Sequence, residues 1–127
     1  MIDSILGSNN YQIAKKLLDV ADLKHQAISS NLANIETPGY RRIDIDANFE
    51  TNLKQATKSN NIDSIGDLKA SLAIDQSVKS VDPDGNNVKL DSELLAMNKN
   101  AMTYEFLTQY LSSSIKRING VIEGKIT

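Results

Sequence analysis

The sequence predicts a mainly α-helical protein, in which two long terminal helices pair as a coiled-coil-like bundle and a polar, partly irregular insertion containing short β elements lies between them. Two observations support this fold class. Apolar residues recur at alternating spacings of three and four near both ends of the chain, and they are sparse in between. We therefore divide the chain into residues 1–40, the N-terminal helix and its closing turn; residues 41–89, an extended, irregular insertion with a short hairpin; and residues 90–127, the C-terminal helix. The first and last segments form one discontinuous domain.

The N-terminal helix is predicted over residues 11–35. Its apolar seam includes one polar residue, His25, and consists of Tyr11, Ala14, Leu18, Ala21, His25, Ile28, Leu32 and Ile35. Leu17, Val20 and Leu23 lie beside this seam, which indicates contacts with more than one neighbour. At about 1.5 Å per residue, such a helix is roughly 37 Å long.

The C-terminal helix shows the same spacing over ten positions, nine of them apolar or aromatic. These positions are Leu90, Leu94, Met97, Ala101, Tyr104, Thr108, Leu111, Ile115, Ile118 and Ile122. Asp91 is predicted as the N-cap, and Lys116 and Arg117 lie before Gly120, where positive charge complements the helix dipole. An ordinary antiparallel helical hairpin that buries its own seam would show the same two stripes.

The insertion from Asp44 to Lys89 is rich in Asn, Asp, Ser and Lys and has no sustained period typical of strands or helices. We predict a short helix over residues 67–78 and a small hairpin in which residues 78–81 pair with residues 87–90. Proline and glycine suit the turn between these strands. Because a stretch this long without structure is uncommon in a compact domain, the insertion is either mobile or ordered only against a partner.

A strong stop signal follows the N-terminal helix. Pro38 disfavours helical geometry at Thr37, and Pro38 and Gly39 suit the two central positions of a type II turn. Asn31 and Asn34 lie in the last turns of the helix, where an amide either caps an unpaired carbonyl or contacts a neighbouring chain. The sequence does not decide between these two roles.

The composition argues against several classes of function. The chain has no cysteine, no tryptophan and a single histidine, so thiol nucleophiles, disulfides, zinc fingers and iron–sulfur clusters lack their ligands. The formal net charge of −2 argues against nucleic acid as a partner. No apolar run reaches the roughly 18 residues that a membrane span needs. The first charge is Asp3 and the first lysine is Lys15, so we expect no cleaved signal peptide, which would open with basic residues.

Two groups of residues have the spacing of chemical sites, and each has a simpler structural explanation. Asp22 lies three residues before His25, but His25 falls in the apolar seam, which favours a packed histidine over a general base. An EF-hand spacing for Ca²⁺ is matched by Asp82, Asp84, Asn86, Val88 and Glu93. Asn87 occupies the position where that loop needs glycine, so a turn followed by a helix cap is favoured. Arg41 and Arg42 are either solvated or paired with an acidic neighbour. We therefore predict no catalytic residue, no metal, no cofactor and no small-molecule substrate.

Residues 28–40 resemble the signature of bacterial flagellar rod and hook proteins, in which an N-terminal helix ends in a motif of the form A-x-N-L-A-N-x-x-T-P-G-Y. The matching residues are Asn31, Leu32, Ala33, Asn34, Thr37, Pro38, Gly39 and Tyr40. Ser29 replaces the usual alanine. The short chain, the Arg-Asp pairing after the turn, and residues 84–88 and 100–104 look like those of the family members that form the proximal rod.

The resemblance implies a structural, non-enzymatic subunit of the flagellar basal-body rod. Such a subunit polymerises with copies of itself and other rod proteins, connects the membrane ring and the small rod adaptor to the distal rod, and transmits motor torque through the periplasmic space. The resemblance also implies synthesis in the cytoplasm and passage through the flagellar type III export gate without a cleaved signal peptide. In this setting we expect the insertion to be partly disordered before assembly and ordered upon it.

Under this interpretation the two seams supply the helix-packing and assembly residues: Leu18, Ala21, Ile28, Leu32, Leu94, Met97, Ala101, Tyr104, Leu111, Ile115 and Ile118. Phe49 and Leu53 are similar to the F-x-x-x-apolar motif with which early rod and hook substrates dock on the export gate. Ile2, Ile5 and Leu6 are candidates for an apolar N-terminal export signal. Buried anchors of a packed segment would show the same short patterns.

The main alternative is a helical-hairpin binding module that acts as an adaptor in the cytosol. Such a module would be monomeric and would be retained in the cytosol. A rod protein would leave the cell body only when the flagellar export system is intact, so cellular location discriminates between the two.

Overall fold

The computed structural model describes residues 9–79 and 81–124. Within these residues the chain forms four helices and one two-stranded sheet, in the order α1 (Asn9–Ala33), β1 (Ile43–Ile45), α2 (Ala47–Lys58), α3 (Ile62–Asp67), β2 (Leu72–Ile74) and α4 (Leu90–Ile122). The predicted fold class is confirmed, because two long helices pair and short β elements lie in the segment between them. No helix of the described ranges combines the length and apolar character that a membrane span requires.

The helices α1 and α4 run antiparallel, with the end of α1 beside the start of α4. Asn31, near the end of α1, contacts Glu93, whereas Ala21, earlier in α1, contacts Asn100, later in α4. Ala14 is buried in a cluster with Leu107 and Leu111, and partly buried residues pack around it: Tyr11, Leu17, Leu18 and Tyr110. Ala14, Ala21 and Ile28 are buried and spaced by seven residues, so they place one face of α1 against its partner.

The face of α4 that packs on α1 differs from the predicted apolar seam. The buried residues of α4 are Glu93, Asn100, Leu107, Leu111 and Ser114, of which three are polar or charged. Of the predicted seam, Leu111 is buried and Met97 and Ile118 are half-buried, whereas the others are exposed: Leu90, Leu94, Ala101, Tyr104, Thr108, Ile115 and Ile122. The apolar stripe is rotated by roughly 60° from the contact face at 100° per residue. Within one chain this stripe is not the contact with α1, and its use between subunits stays a prediction.

The start of α4 also differs from the prediction. The helix begins at Leu90, its N-cap position is Lys89, and no side chain caps it. Asp91 lies inside the first turn, where its Oδ1 accepts a hydrogen bond from the backbone N–H of Ser92 at 2.8 Å. At the other end, the helix continues through Gly120.

The strands of the insertion lie elsewhere than predicted. Strands β1 and β2 pair antiparallel, with Ile43 opposite Ile74 and Ile45 opposite Leu72. The hairpin predicted between residues 78–81 and 87–90 is therefore wrong: the described residues of both segments form no strand, Ser80 lying outside the described residues, and the backbone N–H of Asn87 donates to Tyr40 instead. The short helix predicted over residues 67–78 is also wrong, because α3 ends at Asp67 and β2 follows.

Two helices of the insertion were not predicted. Asp46 caps α2 by accepting a hydrogen bond from the backbone N–H of Asn48 at 2.8 Å, and Asn61 caps α3 in the same way. Phe49 and Ala56 are buried on α2, and Ile65 is fully buried on α3. The polar residues around these few anchors hide the helical spacing from an apolar-pattern analysis.

Candidate functional site

The end of α1 forms the tight turn that the sequence predicts. The backbone N–H of Tyr40 donates to the carbonyl of Thr37 at 3.2 Å, and Gly39 has a φ of 75°. A positive φ at the third position of a β-turn defines type II, and glycine adopts it without steric cost. Pro38 occupies the second position and is exposed. The chain thus reverses sharply from α1 towards β1.

Asn31 ties this turn to three other elements and is fully buried. Its Nδ2 donates to the carbonyl of Ile43 at 2.9 Å and to Glu93 Oε2 at 3.3 Å. Its Oδ1 accepts from the Tyr40 hydroxyl at 3.0 Å and from the backbone N–H of Ile43 at 3.0 Å. Both amide hydrogens and both oxygen lone pairs of Asn31 are therefore used within the chain. This side chain neither caps a carbonyl of α1 nor keeps a hydrogen-bonding position for a neighbouring chain, which were the two predicted alternatives.

The remaining motif residues stabilise the turn locally. Asn34 donates from Nδ2 to the carbonyl of Ser30 at 2.8 Å and accepts at Oδ1 from the Thr37 hydroxyl at 3.2 Å. Leu32 is half-buried and Ala33 is exposed. The motif of the sequence thus corresponds to the C-terminal cap of α1 and the turn that follows it.

A second turn, residues 82–87, packs directly on the first. Asn86 is buried, and its Nδ2 donates to three carbonyls at the end of α1: Asn34 at 2.9 Å, Ile35 at 3.1 Å and Thr37 at 2.8 Å. The backbone N–H of Gly39 donates to the carbonyl of Asp84 at 2.9 Å. A Cβ at Gly85 would lie 3.2 Å from Gly39 Cα, so the two turns touch through their glycines. This cap was not predicted, although residues 84–88 carry part of the family resemblance.

Arg42 connects the turn to both strands and to α4. Its Nε donates to Glu93, which is fully buried, and its Nη1 donates to Asp44 Oδ2 at 3.0 Å and Asp75 Oδ2 at 2.7 Å. Its backbone N–H donates to Asn87 Oδ1 at 2.6 Å. Arg42 is therefore paired with acidic neighbours, which was one of the two alternatives for the arginine pair, whereas Arg41 is exposed.

The charges of this cluster shift the pKa values of two groups. Burial alone lowers the pKa of Arg42, but its hydrogen bonds to Glu93 and Asp44, and the attraction of these carboxylates, raise the pKa above its ordinary value. Burial alone raises the pKa of Asp75, but hydrogen bonds from Ser77 and Arg42 outweigh it and hold the pKa below its ordinary value. The ionised forms are therefore the stable ones in the folded chain.

Neither the Asp22–His25 pair nor the residues with EF-hand spacing come together as a chemical site. His25 is exposed, not packed in the seam as predicted, because the α1–α4 contact passes beside it through Ala21 and Ile28. Asp22 accepts a hydrogen bond from Gln26 at 3.4 Å. Glu93, the last position of the EF-hand spacing, pairs with Arg42. Among residues 9–79 and 81–124 no three His, Asp or Glu side chains come together as metal ligands.

The largest apolar residues that α4 exposes form a second feature of the molecule. Leu95, Met102 and Phe106 are 55%, 71% and 67% exposed and are spaced by seven and four residues, so they share one side of the helix. Leu94 and Tyr104 are exposed on another side. Scattered surface leucines are ordinary, whereas aligned large apolar residues are typical of surfaces that bind another molecule.

The predicted export residues lie in different places. Phe49 is 5% exposed and Leu53 is half-buried on α2, where they line a groove against Ile13, Leu17 and Val20 of α1. In the folded chain they have the positions of packing anchors. The predicted N-terminal signal, Ile2, Ile5 and Leu6, lies outside the described residues.

The chain is similar to several known proteins over most of its length. It is 31% identical to the flagellar basal body rod protein FlgB of Borreliella burgdorferi, over 85% of this chain and 91% of that protein. It is 28% identical to the protein of the same name from Aquifex aeolicus, over 98% of both chains. For the Bacillus subtilis protein of that name the identity is 27%, over 94% of this chain and 97% of the other. No protein-family model matches the chain.

Proposed function

Because the chain belongs to the FlgB family of flagellar basal body rod proteins, we propose that it is a structural subunit of the proximal rod. Family membership confirms the resemblance found in the sequence and places the chain among the rod proteins of the flagellar basal body, which assemble with other rod components. The finer assignment is that this subunit polymerises with copies of itself and other rod proteins and connects the membrane ring and small rod adaptor to the distal rod.

The exposed apolar side chains of α4 are the observation that supports polymerisation most directly. Met102 and Phe106 have about two thirds or more of their surface in contact with solvent in the single chain. Covering apolar surface stabilises by about 25 cal/mol per Å², so these residues favour association. A helix that exposes large apolar residues on sides turned away from its partner helix has the pattern of a subunit packed among neighbours.

The polar cluster at the end of α1 supports the transmission of torque. Arg42 and Asn31 join α1, β1, β2 and α4 through hydrogen bonds that are each directional. Interiors held in this way have one preferred geometry. A subunit with a fixed angle between its helices passes an applied twist to its neighbours with little deformation of its own.

Export through the flagellar type III system accounts for the position of Phe49. Because Phe49 is buried in the folded chain, we expect an export gate to bind it, together with Leu53, before this segment folds. The absence of cysteine removes one obstacle to passage as an unfolded chain and to folding in the periplasm.

Cellular location tests the proposal against the cytosolic adaptor. We expect the protein in isolated basal bodies of wild-type cells and in the cytoplasm of cells whose flagellar export apparatus is inactive. An adaptor would stay in the cytosol in both strains. Finding the chain in the cytosol of export-competent, motile cells and not in their basal bodies would contradict the proposed function.

A charge on the exposed side of α4 tests assembly more sharply than a charge in the predicted seam. Leu111→Asp should abolish motility, but Leu111 is buried against Ala14 and Leu107, so this change also unfolds the helix pair. Phe106→Asp should leave the unfolding free energy within about 0.5 kcal/mol of the wild type and still abolish motility. Normal motility of a strain with Phe106→Asp would contradict the proposed assembly role.

A further inference from the structure

The contact between Asn100 of α4 and Ala21 of α1 has a groove on either side. Asn100 Nδ2 donates to the Ala21 carbonyl at 2.8 Å, so Asn100 points into the helix interface. Successive residues of a helix are about 100° apart, so Lys99 and Ala101 face opposite sides of the helix pair. The helix pair therefore presents two different surfaces, one on each side of this contact.

One of these surfaces, the tyrosine flank, is aromatic and acidic. Its lining residues are Asp22, His25, Met97, Ala101 and Tyr104. Tyr104 is 48% exposed, and Leu94, seven residues or about two turns before Ala101 on the same side, is 42% exposed. The exposed carboxylate of Asp22 gives this flank a negative charge.

The opposite surface, the lysine flank, is apolar with a basic border. Its groove between the helices is lined by Leu17, Val20, Lys24, Leu95 and Lys99, among others. Through Leu17 and Val20 it continues into the groove against α2, which is lined by Phe49, Leu53, Lys54 and Lys58 and bordered by one carboxylate, Glu50. Lys24 pairs with Asp44 at 3.9 Å, and Lys54, Lys58 and Lys99 leave the lysines in excess of the carboxylates around the lysine flank.

We propose that the tyrosine flank of one copy of this chain packs against the lysine flank of the next copy. Tyr104 and Leu94 enter the apolar groove beside Leu17 and Val20, and Asp22 meets the lysine border. The charges of the two flanks are complementary, which selects this pairing over contact between two like flanks. Since the flanks differ and lie on opposite sides, each copy keeps one free flank, and the contact repeats from copy to copy without a two-fold axis.

This inference rests on the proposed function, because it names the neighbour and the surfaces within the rod. It goes beyond that function, because a rod subunit could also meet its own copies through like flanks or only meet other proteins. Cysteine cross-linking separates these arrangements, since the chain has no cysteine of its own and every disulfide would come from an introduced residue.

The test places Ala101→Cys on the tyrosine flank and Lys99→Cys on the lysine flank of one chain, which is then oxidised in isolated basal bodies. The two cysteines of one copy cannot bridge each other, because they face opposite sides of α4. We expect disulfide-linked multimers of this chain from the double variant and monomer from each single variant. Asn98→Cys, on the same turn but directed away from α1, is the matched control and should give monomer. Thr103→Cys replaces Lys99→Cys if the latter stops assembly, since Thr103 lines the same flank.

Each other outcome overturns the proposal. A dimer from either single variant would show contact between like flanks. A monomer from the double variant, with the protein present in basal bodies, would leave the proposed function intact and remove this interface, as would a disulfide only to a different polypeptide. Absence of the protein from wild-type basal bodies would instead refute the proposed function, and this inference with it.

A charge exchange gives a second readout that a merely structural role would not produce. Asp22→Lys and Lys99→Glu, each made in the chain that carries Ala101→Cys and Thr103→Cys, should each cause loss of multimers and of motility, because each places like charges across the interface. The two changes together restore complementary charges and should restore both. Failure of the double exchange to recover either property, while both single variants are defective, would contradict direct contact between the flanks.

Discussion

Two neighbouring parts of α4 differ in the kind of side chain that they carry and in its burial. Its start, around Glu93, is polar, buried and hydrogen-bonded to the turn after α1, whereas its next turns, residues 94–106, carry exposed apolar side chains. The buried polar contacts are satisfied inside one chain, so they fix the geometry of the subunit. The exposed apolar residues have no such partners within the described chain, so they are available to neighbouring subunits.

The difference teaches how a small subunit separates folding from assembly. Hydrogen bonds of buried groups are directional and define one arrangement of α1, the strands and α4. Apolar contacts are less directional and gain free energy whenever surface is covered. Polar groups therefore set the shape of this subunit, and under the proposed function apolar groups drive its association.

The largest effect is expected from Glu93→Ala at the polar start of α4. Removing this carboxylate leaves the buried Arg42 guanidinium without its partner on α4, which should lower the free energy of unfolding by about 3 kcal/mol. Urea denaturation of the purified chain measures this loss. Glu105→Ala, at an exposed position of the same helix, should change stability by less than about 0.5 kcal/mol. Equal stability of the two variants would contradict the importance of the cluster.

A smaller loss is expected from Asn86→Ala in the second turn. This change removes the donor to the carbonyls of Asn34, Ile35 and Thr37 and leaves the end of α1 uncapped, at a cost of about 2 kcal/mol. Thermal unfolding followed by circular dichroism measures it. Asn98→Ala, an exposed asparagine on α4, is the control. If Asn86→Ala unfolds at the wild-type temperature, the two turns are not coupled as described.

The smallest effect concerns the acid sensitivity contributed by Asp75. Its pKa in the folded chain lies below the ordinary value, so its ionised form stabilises the fold above the unfolded pKa of about 3.9, and this contribution is lost as the pH falls through the lower folded pKa. Asp75→Asn should therefore lose less stability than the wild type between pH 6 and pH 3. If the free energy of unfolding of the two proteins falls equally over this pH range, Asp75 does not contribute to the acid sensitivity of the cluster.

Local chemistry in the sequence predicted the features of the chain that depend on few residues. Pro38 and Gly39 specify the type II turn through their own backbone preferences, and the glycine has the expected positive φ. Ala14, Ala21 and Ile28 mark the inner face of α1 by helical spacing alone. The turn depends only on neighbours in sequence, whereas the seam does not: His25, predicted in the same seam, is exposed.

The contact face of α4 was not predictable in this way. Glu93, Asn100 and Ser114 occupy buried positions of that face, and apolar periodicity does not register polar residues that are buried because they have partners elsewhere. The prediction of the strands was wrong for a related reason. Each strand has three residues, and their pairing depends on how Asn31 and Arg42 hold β1 and β2. Asn86 became recognisable as a cap only when the two turns were seen together.

The most direct test of the central claim, that neighbouring subunits cover the exposed apolar side of α4, compares one side chain in two states. Phe106→Cys is treated with a thiol-reactive label in the purified chain and in isolated basal bodies. We expect rapid labelling in the free chain and protection in basal bodies, while Leu107→Cys, which is buried against α1, should be protected in both. Equal labelling of Phe106→Cys in both states would contradict the claim.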